Sequence, residues 1–150
     1  MGEEIVIRFM KEEDLDDVLK VEHDCFPSPW SKSAFMNELT TNQFAYYLVA
    51  ATKERVIGYC GVWVIVDEAH ITNVAVHTSW RRKGIGKQLL LGSMHMAKTL
   101  GAAKLTLEVR VSNDTAQRLY KKLGFVEGGI RKNYYTDNQE DAQIMWVNLS

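Results

Sequence analysis

The sequence predicts an α+β chain, a central mixed and mostly antiparallel sheet of about seven strands with four helices against its faces. Three observations carry that prediction. Two helical segments follow one another near the start and three strands then come in succession, whereas a doubly wound sheet alternates throughout. The strand segments are short and rich in β-branched and aromatic residues, Val56–Val66 most of all. Gly101 and Gly124 each close an amphipathic stretch where a left-handed helix cap is expected. At 150 residues the chain is the size of one domain, so 1–150 reads as a single unit.

Ile5–Phe9 reads as the first strand. Lys11–Cys25 reads as a helix with an acidic face, carrying Leu15, Val18, Leu19 and Val21 at helical spacing. Phe26-Pro-Ser-Pro-Trp30 breaks it, because each proline disfavours helix at the residue before it. Ser31 can then cap a short helix to Leu39, with Ala34, Phe35 and Leu39 inward. Tyr46–Thr52, Val56–Val66 and His70–Val76 are strands, joined by the polar turns Lys53–Arg55 and Asp67-Glu68. A helix carrying Leu89, Leu90, Met94, Ala97 and Leu100 follows and stops at Gly101. Ala103–Arg110 is a strand, Ser112-Asn113-Asp114 a cap, and Thr115–Leu123 a helix with Ala116, Leu119, Tyr120 and Leu123 on one face. Phe125–Arg131 and Ala142–Leu149 are the last strands, joined by the polar segment 133–141.

Composition narrows the function. Charged residues make up 25% and hydrophobic ones 46%, with a net charge of −1, so neither nucleic acid nor a membrane surface is an expected partner. Cys25 and Cys60 have no paired spacing and read as buried, reduced thiols suited to a cytoplasmic protein. No signal peptide or apolar run of membrane length is seen. Met1-Gly2 is no myristoylation signal, because Val6 stands where Ser or Thr is needed. His23, His70, His77 and His95 have no ligand spacing, so no metal is assigned.

The informative stretch is residues 73–91, where an apolar strand breaks into a basic glycine turn and runs on into a helix. Helix-start N–H groups lack internal partners and carry partial positive charge, and glycines let an anion approach the backbone. Arg81, Arg82, Lys83 and Lys87 add full charges around Gly84, Ile85 and Gly86, which makes a pyrophosphate cradle. A nucleoside-triphosphate loop is disfavoured by Arg81 and Gln88 at positions needing Gly and Ser or Thr. A dinucleotide fingerprint fails at Leu89, where a third glycine belongs.

What remains, Arg81-x-x-Gly84-x-Gly86, resembles the acetyl-CoA loop of the Gcn5-related N-acetyltransferase (GNAT) superfamily. Val74-Ala75-Val76, Leu107-Glu108-Val109, Asn113 and Leu119-Tyr120-x-x-Leu123-Gly124-Phe125 extend the resemblance. Phe26-Pro-x-Pro-Trp30-Ser31 and Arg131-x-Asn133-Tyr134-Tyr135 make the combination similar to bacterial RimI-type ribosomal-protein-alanine N-acetyltransferases. The likeness spans almost the whole chain and departs from the pattern in the Ser28-Pro29 insertion.

The resemblance implies a GNAT-like fold and direct attack of an amine on the thioester of acetyl-CoA as cosubstrate, with no metal. Val74, Ala75 and Val76 would hold the acetyl group and pantetheine arm. Arg81, Arg82, Lys83, Gly84, Ile85, Gly86 and Lys87 would bind the pyrophosphate, and Asn113 would touch the cofactor. Glu108 would be the general base and Tyr120 the general acid. Phe26, Trp30, Tyr134 and Tyr135 would frame a peptide entrance, and the implied acceptor is the N-terminal alanine of the eighteenth small-subunit ribosomal protein.

Residue by residue, plainer readings stand beside these. Glu108 interrupts the apolar face pattern of its strand and could be an ion pair with Arg110 or another basic residue. Tyr120 could be a core tyrosine with a bonded hydroxyl, Asn113 a helix cap, and Trp30 plain packing. Asp137, Glu140 and Asp141 could attract a basic peptide or be solvated. Partial burial is expected to raise the pKa of Glu108. A lysine or small-amine acceptor, and a non-catalytic acyl-CoA sensor, remain the alternatives. Nothing in the sequence sets the oligomeric state.

Overall fold

The computed structural model describes residues 4–149; Met1, Gly2, Glu3 and Ser150 lie outside that range, and with them the Met1-Gly2 reading. The chain runs β1 (Val6–Phe9), α1 (Leu15–Cys25), α2 (Lys32–Thr40), β2 (Ala45–Ala51), β3 (Val56–Ile65), β4 (Glu68–Val76), α3 (Ile85–Thr99), β5 (Lys104–Arg110), α4 (Asp114–Lys122), β6 (Val126–Arg131) and β7 (Ala142–Asn148). Single 3-10 turns stand at Glu12–Asp14 and Thr78–Trp80. The first of these shortens the expected Lys11–Cys25 helix. Asp14 there receives Arg8 Nη1 at 2.8 Å, Nη2 at 2.9 Å and the Lys11 N–H at 2.7 Å, which hold the entry as a tight turn.

Caps act where polar residues precede apolar stretches. Ser31 Oγ accepts the Ala34 N–H at 3.2 Å and Asn113 Oδ1 accepts the Ala116 N–H at 3.1 Å, each satisfying a helix-start donor. Gly101 and Gly124 adopt φ of 98° and 100°, the left-handed conformation that ends α3 and α4.

The seven strands form one sheet in the order β1-β2-β3-β4-β5-β7-β6, antiparallel throughout except for β4 beside β5. One face is covered by α3 and α4, through Leu89, Leu90, Ala97 and Tyr120 against Leu105, Leu107 and Met145. The other is covered by α1 and α2, through Leu15, Val18, Val21 and Phe35 against Tyr47, Val49 and Tyr59. The two expected faces of Leu105–Arg110 are both present, with Leu105, Leu107 and Val109 buried and Glu108 on the side away from α4.

The parallel pair is short. Only Glu68↔Lys104, Ala69↔Leu105 and His70↔Thr106 are in register, and beyond them β4 and β5 part. A bulge starts the divergence: β3 pairs Val62 with Ile71 and Gly61 with Asn73, leaving Thr72 as an extra residue on β4. Thr72 and Asn73 consequently stay together, the Thr72 hydroxyl donating to Asn73 Oδ1 at 2.9 Å. A fork therefore opens in the middle of the sheet.

Candidate active site

A groove of about 830 Å³ runs from that fork to the start of α3. Val74, Ala75, Val76, Arg81, Arg82, Gly84, Ile85, Gly86, Lys87 and Asn113, which sequence reasoning grouped, all line it. Phe26 and Tyr120 line it as well. Lys83 does not; its ammonium lies 6.0 Å from the centre of the Trp80 ring.

The loop's backbone explains its shape. Arg82 and Gly84 both adopt left-handed φ, 65° and 77°, which wraps the chain tightly before α3. Gly84 is the cap residue and has no side chain to accept a hydrogen bond, and the first turn of α3 holds no acidic residue. The N–H groups of Ile85, Gly86 and Lys87 are thus left for an anion, with Arg81 and Lys87 beside them. Arg81 is partly committed, its Nε donating to the Val76 carbonyl at 3.4 Å and its Nη2 to Cys25 Sγ at 3.6 Å.

Just past the end of β4, the His77 N–H donates to the Ile57 carbonyl of β3 at 2.8 Å. Alternation along an antiparallel strand then turns the N–H and C=O groups of Val74 and Val76 toward the fork. The Val76 carbonyl already accepts Cys25 Sγ–H at 3.3 Å, whereas no β5 residue pairs with Val74. Cys25 is accordingly half-buried and part of the groove wall, not a core thiol as expected, and burial raises its pKa. Cys60 is buried, and its thiol is pushed up to about 12 by desolvation.

Glu108 and Tyr120 approach the fork from opposite faces of the sheet. Tyr120 is 6% exposed among the α3–α4 core residues, packed on Phe125 at 5.7 Å, and no described residue hydrogen-bonds its hydroxyl. It is a core tyrosine, but one whose hydroxyl is unclaimed. Burial is the main cause raising its pKa, with Cys60 and Tyr135 adding to it.

Glu108 does not pair with Arg110. Its Oε1 receives His70 Nε2 at 2.8 Å and the Tyr134 hydroxyl at 3.2 Å. The expected rise in its pKa is overturned. Burial does push it up, but the hydrogen bond and charge of His70, the Tyr134 hydroxyl and the charge of Arg131 together leave it below the usual glutamate value. Arg110 instead holds Asp137 through Nη2 at 2.9 Å and Glu140 through Nη1 at 3.1 Å, and stacks 4.0 Å from the Tyr135 ring centre. Asp141 accepts the Asn133 N–H at 2.9 Å. The acidic residues of the 133–141 segment therefore fold their own loop; attraction of a basic peptide is not their evident use.

That loop sets the aromatic pair. Tyr134 and Tyr135 meet edge to face at 5.1 Å, Tyr134 reaching Glu108 and Tyr135 lying under Arg110. Burial raises both hydroxyls, Tyr135 to about 12. Trp30, expected at the peptide entrance, lies off the groove: it packs on Phe35 at 5.3 Å, and its backbone N–H donates to buried Glu22 at 2.8 Å. Sequence reasoning missed His70. Its only sequence signal, a titratable residue on a strand beside the one bearing Glu108, becomes informative only with the register of the pair.

A family model described as the acetyltransferase (GNAT) family matches residues 15–125. The chain belongs to this family. The GNAT chain is 36% identical over 139 residues to ribosomal protein bS18-alanine N-acetyltransferase of Escherichia coli (strain K12), covering 91% of this chain and 93% of that one. A Bacillus subtilis (strain 168) protein, whose name assigns it the same activity provisionally, is 47% identical over 150 residues, covering 100% and 99%. The crystal structure of the ribosomal-protein-S18-alanine N-acetyltransferase from Escherichia coli superposes with a TM-score of 0.89 at 33% identity, covering 98% of this chain and 95% of that one. The chain is thus an acyltransferase of the GNAT fold. Among the described residues no helix is long and apolar enough to cross a membrane.

Proposed function

We propose that this chain transfers the acetyl group of acetyl-CoA to a protein N-terminus, the terminal alanine of ribosomal protein bS18. The observation that carries the reading is the fork between β4 and β5, with a groove on one side and Glu108 on the other. The groove fits the cosubstrate. The uncapped N-terminus of α3, with Arg81, Arg82 and Lys87, would hold the pyrophosphate, and Asn113 would flank it. Val74 to Val76 would hold the pantetheine arm as an added strand would be held, with a Val74 or Val76 N–H on the thioester carbonyl. Bound there, acetyl-CoA supplies the activated acyl carbon. No metal enters this reading.

Glu108 acts as the base through Oε2, and Tyr120 donates its unclaimed proton to the departing thiolate. A thiol near 8.5 leaves as the weaker base and burial lifts the Tyr120 hydroxyl above its usual 10 or so, so complete transfer runs uphill and the phenol assists chiefly by hydrogen-bonding the sulfur as its charge builds. The lowered pKa of Glu108 bears on the acceptor. Such a carboxylate takes little proton from a resting ammonium, so the amine must arrive largely free. About a tenth of an α-amine is free at pH 7, against under about a thousandth of a lysine side chain. As the N–C bond forms, the nitrogen becomes acidic enough for Glu108 to take its proton. A weak base therefore suits an N-terminus better than a lysine.

Phe26 on one side and Tyr134 and Tyr135 on the other would frame the acceptor's approach, with Trp30 left to packing on Phe35. Two free thiols support a cytoplasmic setting. The test is incubation with acetyl-CoA and a panel of bS18 N-terminal peptides, internal-lysine peptides and polyamines, read by intact-mass and fragment mass spectrometry. Acetylation at the alanine terminus is expected. Modification confined to lysines or small amines, or acetyl-CoA binding with no turnover on any amine, would overturn the reading.

A further inference from the structure

The carboxylate of Glu108 is divided in its commitments. Oε1 takes both hydrogen bonds, from His70 Nε2 and the Tyr134 hydroxyl, and Oε2 takes none from the described residues. An ionised carboxylate only accepts, so His70 Nε2 carries the proton of this 2.8 Å contact. The two donors are unequal. Tyr134 belongs to a loop and is 41% exposed, whereas His70 stands on a central strand.

Position makes His70 particular. It is the last residue of β4 in register with β5, paired with Thr106, and the Thr72 bulge follows two residues later. Glu108 lies two residues beyond Thr106 on the same face of β5. The side-chain bond therefore crosses the fork at the point where the backbone ladder ends. Beyond it β4 makes no main-chain bond to β5; β7 still holds the Glu108 backbone through its register with Ile144, but on the β4 side the direction of the carboxylate is set by side-chain contacts, of which this is the shorter. The Glu108 side chain is 9% exposed and that of His70 36%, so the bond is shielded on the carboxylate's side and is charge-assisted.

We propose that His70 is a positioning residue for acetyl transfer: its Nε2–H clamps Oε1 of Glu108 across the fork and so presents Oε2 to the incoming amine. The inference rests on Glu108 being the base. It predicts that His70 acts only through Glu108, and that a side chain which can donate to Oε1 from the same place replaces it.

The experiment compares His70→Ala, His70→Gln, Glu108→Gln and the double variant His70→Ala/Glu108→Gln by steady-state kinetics with a bS18 N-terminal peptide, with folding checked by circular dichroism. His70→Ala is expected to lower kcat about 10–100-fold, the scale of a misplaced reacting group, with KM for acetyl-CoA held within about twofold. His70→Gln, whose amide can donate to Oε1, is expected to recover to within about fivefold of wild type. In the Glu108→Gln background the alanine substitution should add less than about twofold. If the alanine variant does not fold, His70→Asn, too short to reach Oε1, takes its place. Wild-type kcat for His70→Ala, a fully additive double variant, or a Gln variant as slow as the Ala variant would each overturn the proposal. A slow Glu108→Gln beside a normal His70→Ala would sink this proposal alone, whereas a normal Glu108→Gln would sink the assignment of the base.

Discussion

Glu108→Gln isolates the base from everything else the side chain does. Glutamine keeps the volume and, with its carbonyl in the Oε1 position, still accepts from His70 Nε2 and the Tyr134 hydroxyl, now 2.8 and 3.2 Å away. The neighbours of this 9%-exposed side chain are therefore not asked to move. A charge-assisted bond becomes a neutral one, a stability cost of about 1 kcal/mol. What disappears is the lone pair at Oε2, replaced by an N–H₂ that donates where the amine needs an acceptor. Loss of a general base costs about 10²–10⁴ in rate, which at about 1.36 kcal/mol per decade is about 2.7–5.4 kcal/mol of barrier. The assay is initial-rate release of free CoA thiol with a bS18 N-terminal peptide, alongside acetyl-CoA binding by calorimetry. Turnover should fall by that factor and acetyl-CoA affinity should hold, because the groove proposed for the cosubstrate does not include Glu108. Turnover within about threefold of wild type, with binding intact, would refute proton abstraction by this residue.

Tyr120→Phe removes a hydroxyl that no described residue claims, so kcat should drop about 10²–10⁴-fold while the melting temperature stays level or rises, seen by pairing the same assay with calorimetric melts. Gly61→Ala would drive its Cβ into the Tyr47 ring and to 2.7 Å from Asn73 Oδ1, disturbing the Tyr47 hydroxyl's bond to buried Glu38. Overpacking of this kind costs about 1–3 kcal/mol, a fall of roughly 2–12 °C in Tm by scanning calorimetry. Asp14 is held below the usual carboxylate range chiefly by the Arg8 guanidinium, with burial opposing and the Lys11 N–H assisting. Its contribution is full above the unfolded value of about 3.9 and is lost as pH falls through the lower folded value. The Tm gap between wild type and Asp14→Asn, measured at pH 7 and again below about pH 4, should therefore narrow in acid.

Local chemistry wrote most of the fold into the sequence. The caps at Ser31 and Asn113, the left-handed stops at Gly101 and Gly124, and the buried alternation of Leu105, Leu107 and Val109 all depend on neighbours within a turn or on strand period. The groove's lining was legible for the same reason: a glycine turn rich in cations ahead of a helix gathers its exposed N–H groups and charges within a few consecutive residues. The partners of charged side chains were not legible. Arg110 met Asp137 and Glu140, 27 and 30 residues away, and Glu108 met His70 at a separation of 38. The pKa of Glu108 moved opposite to the expectation because burial could be anticipated from its strand, and the donors that outweigh burial could not.

The sequence by itself determined the alternation along Leu105–Arg110, the caps that start α2 and α4, the glycines that stop α3 and α4, and the cationic glycine turn at residues 81–87, since periodicity and backbone stereochemistry act over a few residues. Only the tertiary structure decided that β4 and β5 stay paired for three residues and then separate, that Thr72 bulges, and that His70 arrives at Oε1 of Glu108. Those outcomes hang on the register between segments distant in the chain. A shift of one residue exchanges the two faces of a strand, and that choice is settled by the packing of the whole sheet between its helices.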